Sequence, residues 1–196
     1  PGTSNGTREA RNSPKLESFP QGKNPIQDSI SCFLWTDAIE HGEDMGAKDW
    51  GVRKTDKLKS NIKYMINYAG NCLTNQHSDI NKAHEILADE SKCEFILGID
   101  TVMCDSMNYS DIVLPDLFRF EQHSQIATGS DWGYIITGTP ATSPKFERKT
   151  AYEMAAMMAD RFGVKDAFTE GKTEEDWIRE LYEKSRAEDD KLPSFE

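Results

Sequence analysis

Ile62–Pro115 reads IKYMINYAGNCLTNQHSDINKAHEILADESKCEFILGIDTVMCDSMNYSDIVLP. Three apolar runs stand out in it, Ile62–Tyr68, Phe95–Ile99 and Ile112–Leu114, and each stops at a Gly, Asn, Asp or Pro. Segments long enough for helices join them. Apolar runs alternating with helical segments are the pattern of βαβ units and a parallel sheet. Such a sheet binds ligands outside the carboxyl ends of its strands, where Gly70, Asn71 and Asp100 fall. The nearly continuous apolar character of Ile62–Tyr68 predicts a strand buried on both faces.

Upstream, residues 1–28 are rich in Gly, Pro, Ser and Asn and show no periodicity, which predicts a loop or loosely ordered lead-in. Ser29–Trp35 has the length and apolar content of a strand, and Thr36 or Asp37 can cap a short helix after it. The polar stretch from Glu40 to Ser60 has room for one short helix around Met45–Trp50. Between the first two strands, Ser78 or Asp79 can cap a helix whose apolar marks are Ile80, Ala83, Ile86 and Leu87. Thr101–Ser110 reads as a short helix or turn. Downstream, Tyr134–Thr137 is a further strand, in a hairpin or at a mixed edge. Thr150 caps a helix with Tyr152, Met154, Ala155, Met158, Ala159 and Phe162 on its apolar side and Gly163 as its stop. Thr173 caps another, with Glu174, Glu175 and Asp176 in the first turn and Trp177, Ile178, Leu181 and Tyr182 as its apolar marks. The expected class is α/β: a parallel, Rossmann-like sheet flanked by helices, with a mostly helical C-terminal part. By domain, residues 1–60 form an irregular lead-in with one strand, 61–120 a Rossmann-like βαβ half-domain, and 121–196 a crossover segment and C-terminal helices.

The chain carries 34 Asp and Glu against 23 Lys and Arg among 196 residues. That balance argues against a nucleic-acid partner, which needs clustered positive charge. Basic residues are scattered among acids, and no apolar run approaches the roughly 20 residues that span a bilayer, so direct membrane insertion is not expected. The opening PGTSNGTREA has no apolar segment of a signal peptide and no initiating Met. The expectation is an interior piece of a longer chain. Cys32, Cys72, Cys93 and Cys104 form no CxxC pair, which leaves structural zinc and iron–sulfur ligation unsupported. Cys93 and Cys104 lie in or beside apolar elements and are expected to be buried.

Asn71 and Asp100 are the sharpest candidates for chemistry. A carboxylate at a strand end can accept two hydrogen bonds from adjacent N–H donors or a diol, as a guanine edge or a ribose offers. The plainer alternative is that both residues cap the elements that follow. His77 and His84 are seven apart but lack a third metal ligand, and His41 and His123 are isolated, so all four read as surface or capping residues. In Glu121-Gln122-His123, Gln122 can meet a ligand's polar edge, whereas Glu121 has no visible acid–base partner and is assigned no catalytic role. Ser4, Ser31 and Ser124 lack a nucleophile elbow, and neither GxGxxG nor a P-loop occurs. Met154, Met157 and Met158 read as core packing. The residues alone thus give an α/β domain with a nucleotide-like crevice and no catalytic group of its own.

Several motifs in order carry a more specific likeness. NYAGNCLTNQHSDINKAHEIL (Asn67–Leu87), CEFILGIDTVMCDSMNYSDIVLPD (Cys93–Asp116), SISCFLWTDAI (Ser29–Ile39) and FERKTAYEMAAMMADRFGV followed by FTEGKTEEDWIRELY resemble the molybdopterin oxidoreductase family, in its dimethyl sulfoxide reductase branch of catalytic subunits. The family pattern of a strand, GN, a helix, strand-Asp, T/S, ADIVLP and Glu corresponds here to Gly70-Asn71, Asp100, Ser106, Ser110–Pro115 and Glu121. The resemblance implies binding of a bis-(molybdopterin guanine dinucleotide) molybdenum cofactor, with 61–120 as a half-domain for its guanine dinucleotide part. It places Asn71, Ile99, Asp100, Gln122 and Thr150 at positions where relatives contact the guanine dinucleotide arms. A Lys that follows the last motif in some relatives is Gln122 here. Neither the cysteine cluster for a [4Fe-4S] centre nor the serine that ligates molybdenum lies in this chain, so the fragment is expected to be inactive alone. The parent is expected to reduce sulfoxides or N-oxides in anaerobic respiration. Its expected partners are an iron–sulfur electron-transfer subunit and a membrane anchor subunit, after export in folded form to the periplasm or outer face of the cytoplasmic membrane. Two alternatives stay open: the same scaffold acting on selenate, nitrate or polysulfide, and a cofactor-free α/β interaction module.

Overall fold

The computed structural model describes residues 16–76, 78–128 and 135–195. The chain divides into two compact units, Gly22–Asp116 and Leu117–Glu196 with Pro1–Gln21. In the first unit, the strand expected at Ser29–Trp35 does not form. Ser29 makes only an isolated bridge to Arg53, Cys32–Leu34 is a turn of 3-10 helix, and α1 spans Trp35–His41. The Ser31 side chain accepts from the Phe33 N–H, which starts the turn. Trp35, Ala38 and Ile39, spaced i, i+3, i+4, are all buried, so the apolar residues serve a helical stripe rather than a pleat. Leu34, with no side-chain cap, bounds α1 in place of Thr36 or Asp37; Asp37 lies in the first turn, where it suits the dipole. The short α2 is Ala47–Trp50, closed by Gly51 at φ 67°.

There follow β1 Tyr64–Tyr68, α3 Cys72–Asn75, α4 Ile80–Leu87, β2 Phe95–Asp100, a 3-10 helix Asp105–Tyr109, and β3 Ile112–Pro115. Asp79 caps α4, its carboxylate accepting from the Lys82 N–H at 3.1 Å. The three strands form one parallel sheet in the order β1-β2-β3, with Ile66 opposite Leu97 and Leu97 opposite Ile112. This is the α/β arrangement of a parallel sheet flanked by helices. Met65 and Ile96 pack against Trp35, Ile39, Ala83, Ile86 and Leu87 in a single cluster. The other side of β1 is not covered in the same way: Tyr64, Ile66 and Tyr68 are each at least half exposed. Burial of β1 on both faces therefore fails. Side chains alternate along a strand, and only the Met65 side of this edge strand meets helices.

In the second unit, β4 Ser124–Thr128 pairs antiparallel with β5 Ile135–Gly138. The expected strand at Tyr134–Thr137 is thus met by β5, except that Tyr134 lies outside the described residues. Then come α5 Ala151–Arg161, α6 Lys165–Thr169 and α7 Glu174–Glu188. Both expected caps form as full capping boxes, Thr150 with Glu153 and Thr173 with Asp176. Trp177, Ile178, Leu181 and Tyr182 of α7 are buried as their spacing predicts. The methionines of α5 differ from expectation. Met154 is buried, but Met157 and Met158 are exposed, as is Phe162 at 81%. α5 spends only Met154 and Ala159 on a buried stripe, so its apolar content exceeds what the unit encloses. Among the described residues, no helix is long and apolar enough to cross a membrane.

Candidate functional site

The carboxyl ends of β1 and β2 bring Asn71, Ile99 and Asp100 to one edge. After β1, Ala69 takes a left-handed conformation (φ 53°) and donates its N–H to the Ile99 carbonyl at 2.9 Å. Non-glycine residues rarely adopt this conformation, and it is held here by the bond to the neighbouring strand. Asn67, buried within β1, donates from Nδ2 to the Gly70 carbonyl at 3.1 Å and braces the same turn. Asn71 then stands at the start of α3, where its side chain makes no capping bond. Its Oδ1 instead accepts from the Ser106 N–H (2.9 Å), the Ser106 hydroxyl (2.7 Å) and the Thr74 hydroxyl (2.9 Å). Ser106 is fully buried, and its Oγ accepts from the N–H groups of Leu73 (3.1 Å) and Thr74 (3.2 Å). Asn71 is half-buried, and its Nδ2 makes no hydrogen bond among the described residues.

Asp100 turns one carboxylate oxygen back on its own loop. Oδ1 accepts from the Thr101 N–H at 2.6 Å and from its hydroxyl at 3.3 Å, while Oδ2 receives only a long contact from the Cys104 thiol at 3.9 Å. Val102 and Met103 follow as exposed apolar side chains. Ile99 is buried in the sheet and reaches the edge through its carbonyl. Cys104 is half-buried rather than buried, because it sits in the loop between β2 and the 3-10 helix. Cys93 is buried as expected, and desolvation pushes its thiol pKa up. That 3-10 helix lies close over the sheet because position 98 is glycine. A Cβ on Gly98 would meet Ser110 Oγ at 2.5 Å and Met107 Sδ at 2.6 Å.

Gln122 and Thr150 belong to the second unit, where both line a crevice of about 630 Å³ together with Arg148, Lys165, Asp166 and Glu175. Gln122 donates from Nε2 to the Leu117 carbonyl at 3.3 Å. The Thr150 hydroxyl accepts from the Glu153 N–H at 3.1 Å, which leaves its own hydrogen to give. Glu121 is buried as a latch: it accepts from the Phe118 N–H (2.9 Å), the Lys145 N–H (3.3 Å) and Arg148 Nη1 (2.8 Å). The Phe118 amide first, then the Arg148 guanidinium, holds its carboxyl below the ordinary carboxylate range. A carboxylate so engaged is a poor general base. Of the histidines, His84 bonds Tyr109 and lies 3.9 Å from Asp105, His123 lies 3.8 Å from Glu175, and His77 falls outside the described residues.

Asn67 was not singled out by the sequence pattern because it sits inside an apolar strand, and Ser106 appeared only as a motif letter with no role. A polar residue inside a strand that ends in Gly-Asn was the one available signal for Asn67. Nothing in the spacing pairs Asn71 with Ser106.

A parallel sheet flanked by helices, with polar groups gathered at its carboxyl edge, defines an α/β protein, and comparison with known proteins makes the class specific. Residues 12–161 match the molybdopterin oxidoreductase family, and the chain belongs to it. It is 49% identical over its whole length to the dimethyl sulfoxide reductase DmsA of Escherichia coli K12 and 45% identical to DmsA of Haemophilus influenzae, covering 24% of each. A trimethylamine-N-oxide reductase of Salmonella typhi is 29% identical over 67% of this chain and 16% of that protein. The chain spans about a quarter of the length of its dimethyl sulfoxide reductase relatives. Family membership implies a molybdenum–molybdopterin cofactor.

Proposed function

We propose that this chain forms part of a molybdenum-dependent reductase of sulfoxides or N-oxides, and that its carboxyl-edge residues hold a guanine dinucleotide arm of a bis-(molybdopterin guanine dinucleotide) cofactor. The observation that carries this reading is a pair of polar atoms beyond adjacent strands: Asn71 Nδ2, with no hydrogen bond among the described residues, and Asp100 Oδ2, with only the long Cys104 contact at 3.9 Å. Polar groups aimed out of the carboxyl edge of a parallel sheet are where nucleotides bind. Asp100 can accept N–H groups of a guanine edge, with Val102 and Met103 as apolar surface beside it. The donor set fits an organic nucleotide rather than a bare metal ion. Gln122 and Thr150, which line the second unit's own crevice, are proposed as cofactor contacts of that unit by itself.

When bound, the molybdenum centre supplies the oxygen-atom chemistry, and the protein supplies binding and electrostatics. This chain's share is to bind and orient, so the isolated fragment reduces nothing. The names of the relatives favour sulfoxide and N-oxide substrates over selenate, nitrate or polysulfide. On the same reading the parent is exported in folded form to the periplasmic side. It takes electrons through its own [4Fe-4S] centre from an iron–sulfur subunit held at a membrane anchor. The test is Asp100→Ala in the reductase carrying this chain, with guanine and molybdenum measured per polypeptide after purification. Both should drop while the fold persists. Undiminished guanine in the purified variant would sink the role given to Asp100.

A further inference from the structure

A primary amide presents an acceptor at one end and two donors at the other, and the surroundings of Asn71 tolerate one orientation only. The backbone N–H of Ser106 is a pure donor, so the atom 2.9 Å from it must be the amide oxygen. The Ser106 hydroxyl accepts from Leu73 and Thr74, and its single hydrogen goes to the same oxygen at 2.7 Å. Thr74 Oγ1 adds a third contact at 2.9 Å. Rotating the amide by half a turn would set N–H against these donors. We infer that Ser106 is a positioning residue that locks Asn71 with its amide hydrogens directed outward, so that this subsite takes a hydrogen-bond acceptor oxygen of the ligand.

The neighbouring Asp100 carboxylate is an acceptor, so the edge has a polarity: it gives at the end of β1 and takes at the end of β2. A ligand must present oxygen to Asn71 and N–H or O–H to Asp100 to satisfy both, and one turned end for end would leave both unpaired. Swapping acceptor and donor groups on a ligand of the same shape should therefore abolish recognition. The inference rests on reading the carboxyl edge as the ligand site.

The test separates the two claims in the reductase carrying this chain, with guanine released per polypeptide as the readout and thermal midpoints taken on cofactor-stripped protein. Asn71→Ala and Asp100→Ala test the site itself. Asn71→Asp tests the polarity, because a carboxylate can still accept all three inward bonds but has no outward donor. Its guanine content should fall about tenfold, as Asn71→Ala does, with the stripped midpoint kept. Ser106→Ala should lose guanine as well, and Ser106→Thr, which retains the hydroxyl, should recover it. If Asn71→Ala and Asp100→Ala deplete guanine but Asn71→Asp retains it, the polarity is wrong and the site stands. If neither alanine variant depletes guanine, the site reading falls and the inference falls with it.

Discussion

Gly98→Ala puts the packing above β2 under direct strain. The added Cβ would lie 2.5 Å from Ser110 Oγ, 2.6 Å from Met107 Sδ and 3.1 Å from Ser110 Cβ. Ordinary contacts of this kind begin near 3.4 Å, so the 3-10 helix must retreat by close to an ångström. It has little freedom to do so. Met107 is fully buried, Ser110 donates its N–H to the Met107 carbonyl, and Asp111 donates to Ile96. Overpacking a tight site costs about 1–3 kcal/mol, against the roughly 0.5–1 kcal/mol that replacing a strand glycine with alanine returns. A net loss of about 1–2 kcal/mol is a 5- to 30-fold change in the open population. Amide exchange of β2 should accelerate by that factor, with Gly22→Ala, whose added Cβ would have nothing within 4 Å, as the control. Exchange that is unchanged or slower in Gly98→Ala would refute the packing account. The same movement would draw Ser106 off Asn71, so guanine retention should weaken beyond what the stability loss predicts.

Two further outcomes follow from named atoms. Ser110 Oγ is buried without a hydrogen-bond partner among the described residues, so Ser110→Ala should leave stability unchanged or raise it by up to about 1 kcal/mol in urea denaturation; a loss above that size would show the hydroxyl is bonded. Glu121 has a depressed pKa, so its contribution is present above the ordinary carboxylate range and is lost as pH falls through the folded-state value. Protection of the Phe118 and Lys145 amides should therefore persist to more acidic pH than an ordinary carboxylate allows. Arg148→Met should move that loss to higher pH, and an unmoved acid limb would remove Arg148 from the latch.

What was legible in the sequence was local in origin. The capping boxes at Thr150 and Thr173 need only residues three apart, and the parallel strands declare themselves by apolar runs with abrupt polar ends. Ser29–Trp35 was misread because its apolar count suits a strand, whereas the helical period appears only when Ala38 and Ile39 are included. Met157, Met158 and Phe162 show the reverse error, since period cannot say whether anything covers a face. At the site, Asn71 and Asp100 were visible from their place after strands. The atoms that set Asn71's orientation were not, because Ser106 reaches it across 35 residues.

That separation fixes when the site can exist during folding. Closing a loop of 35 residues costs about 3 kcal/mol in chain entropy, and the two neutral hydrogen bonds between Asn71 and Ser106, at about 1 kcal/mol each, do not offset it. The clasp between Asn71 and Ser106 therefore has no stability of its own. It is expected to close after β1, α4 and β2 have associated and brought its halves together. A nascent chain that has made only β1 carries Asn71 with a freely turning amide and no polarity to offer. Under the proposed function, ligand capture is thus tied to completion of the crossover, and a slow or faulty strand pairing would be felt first as failure to load.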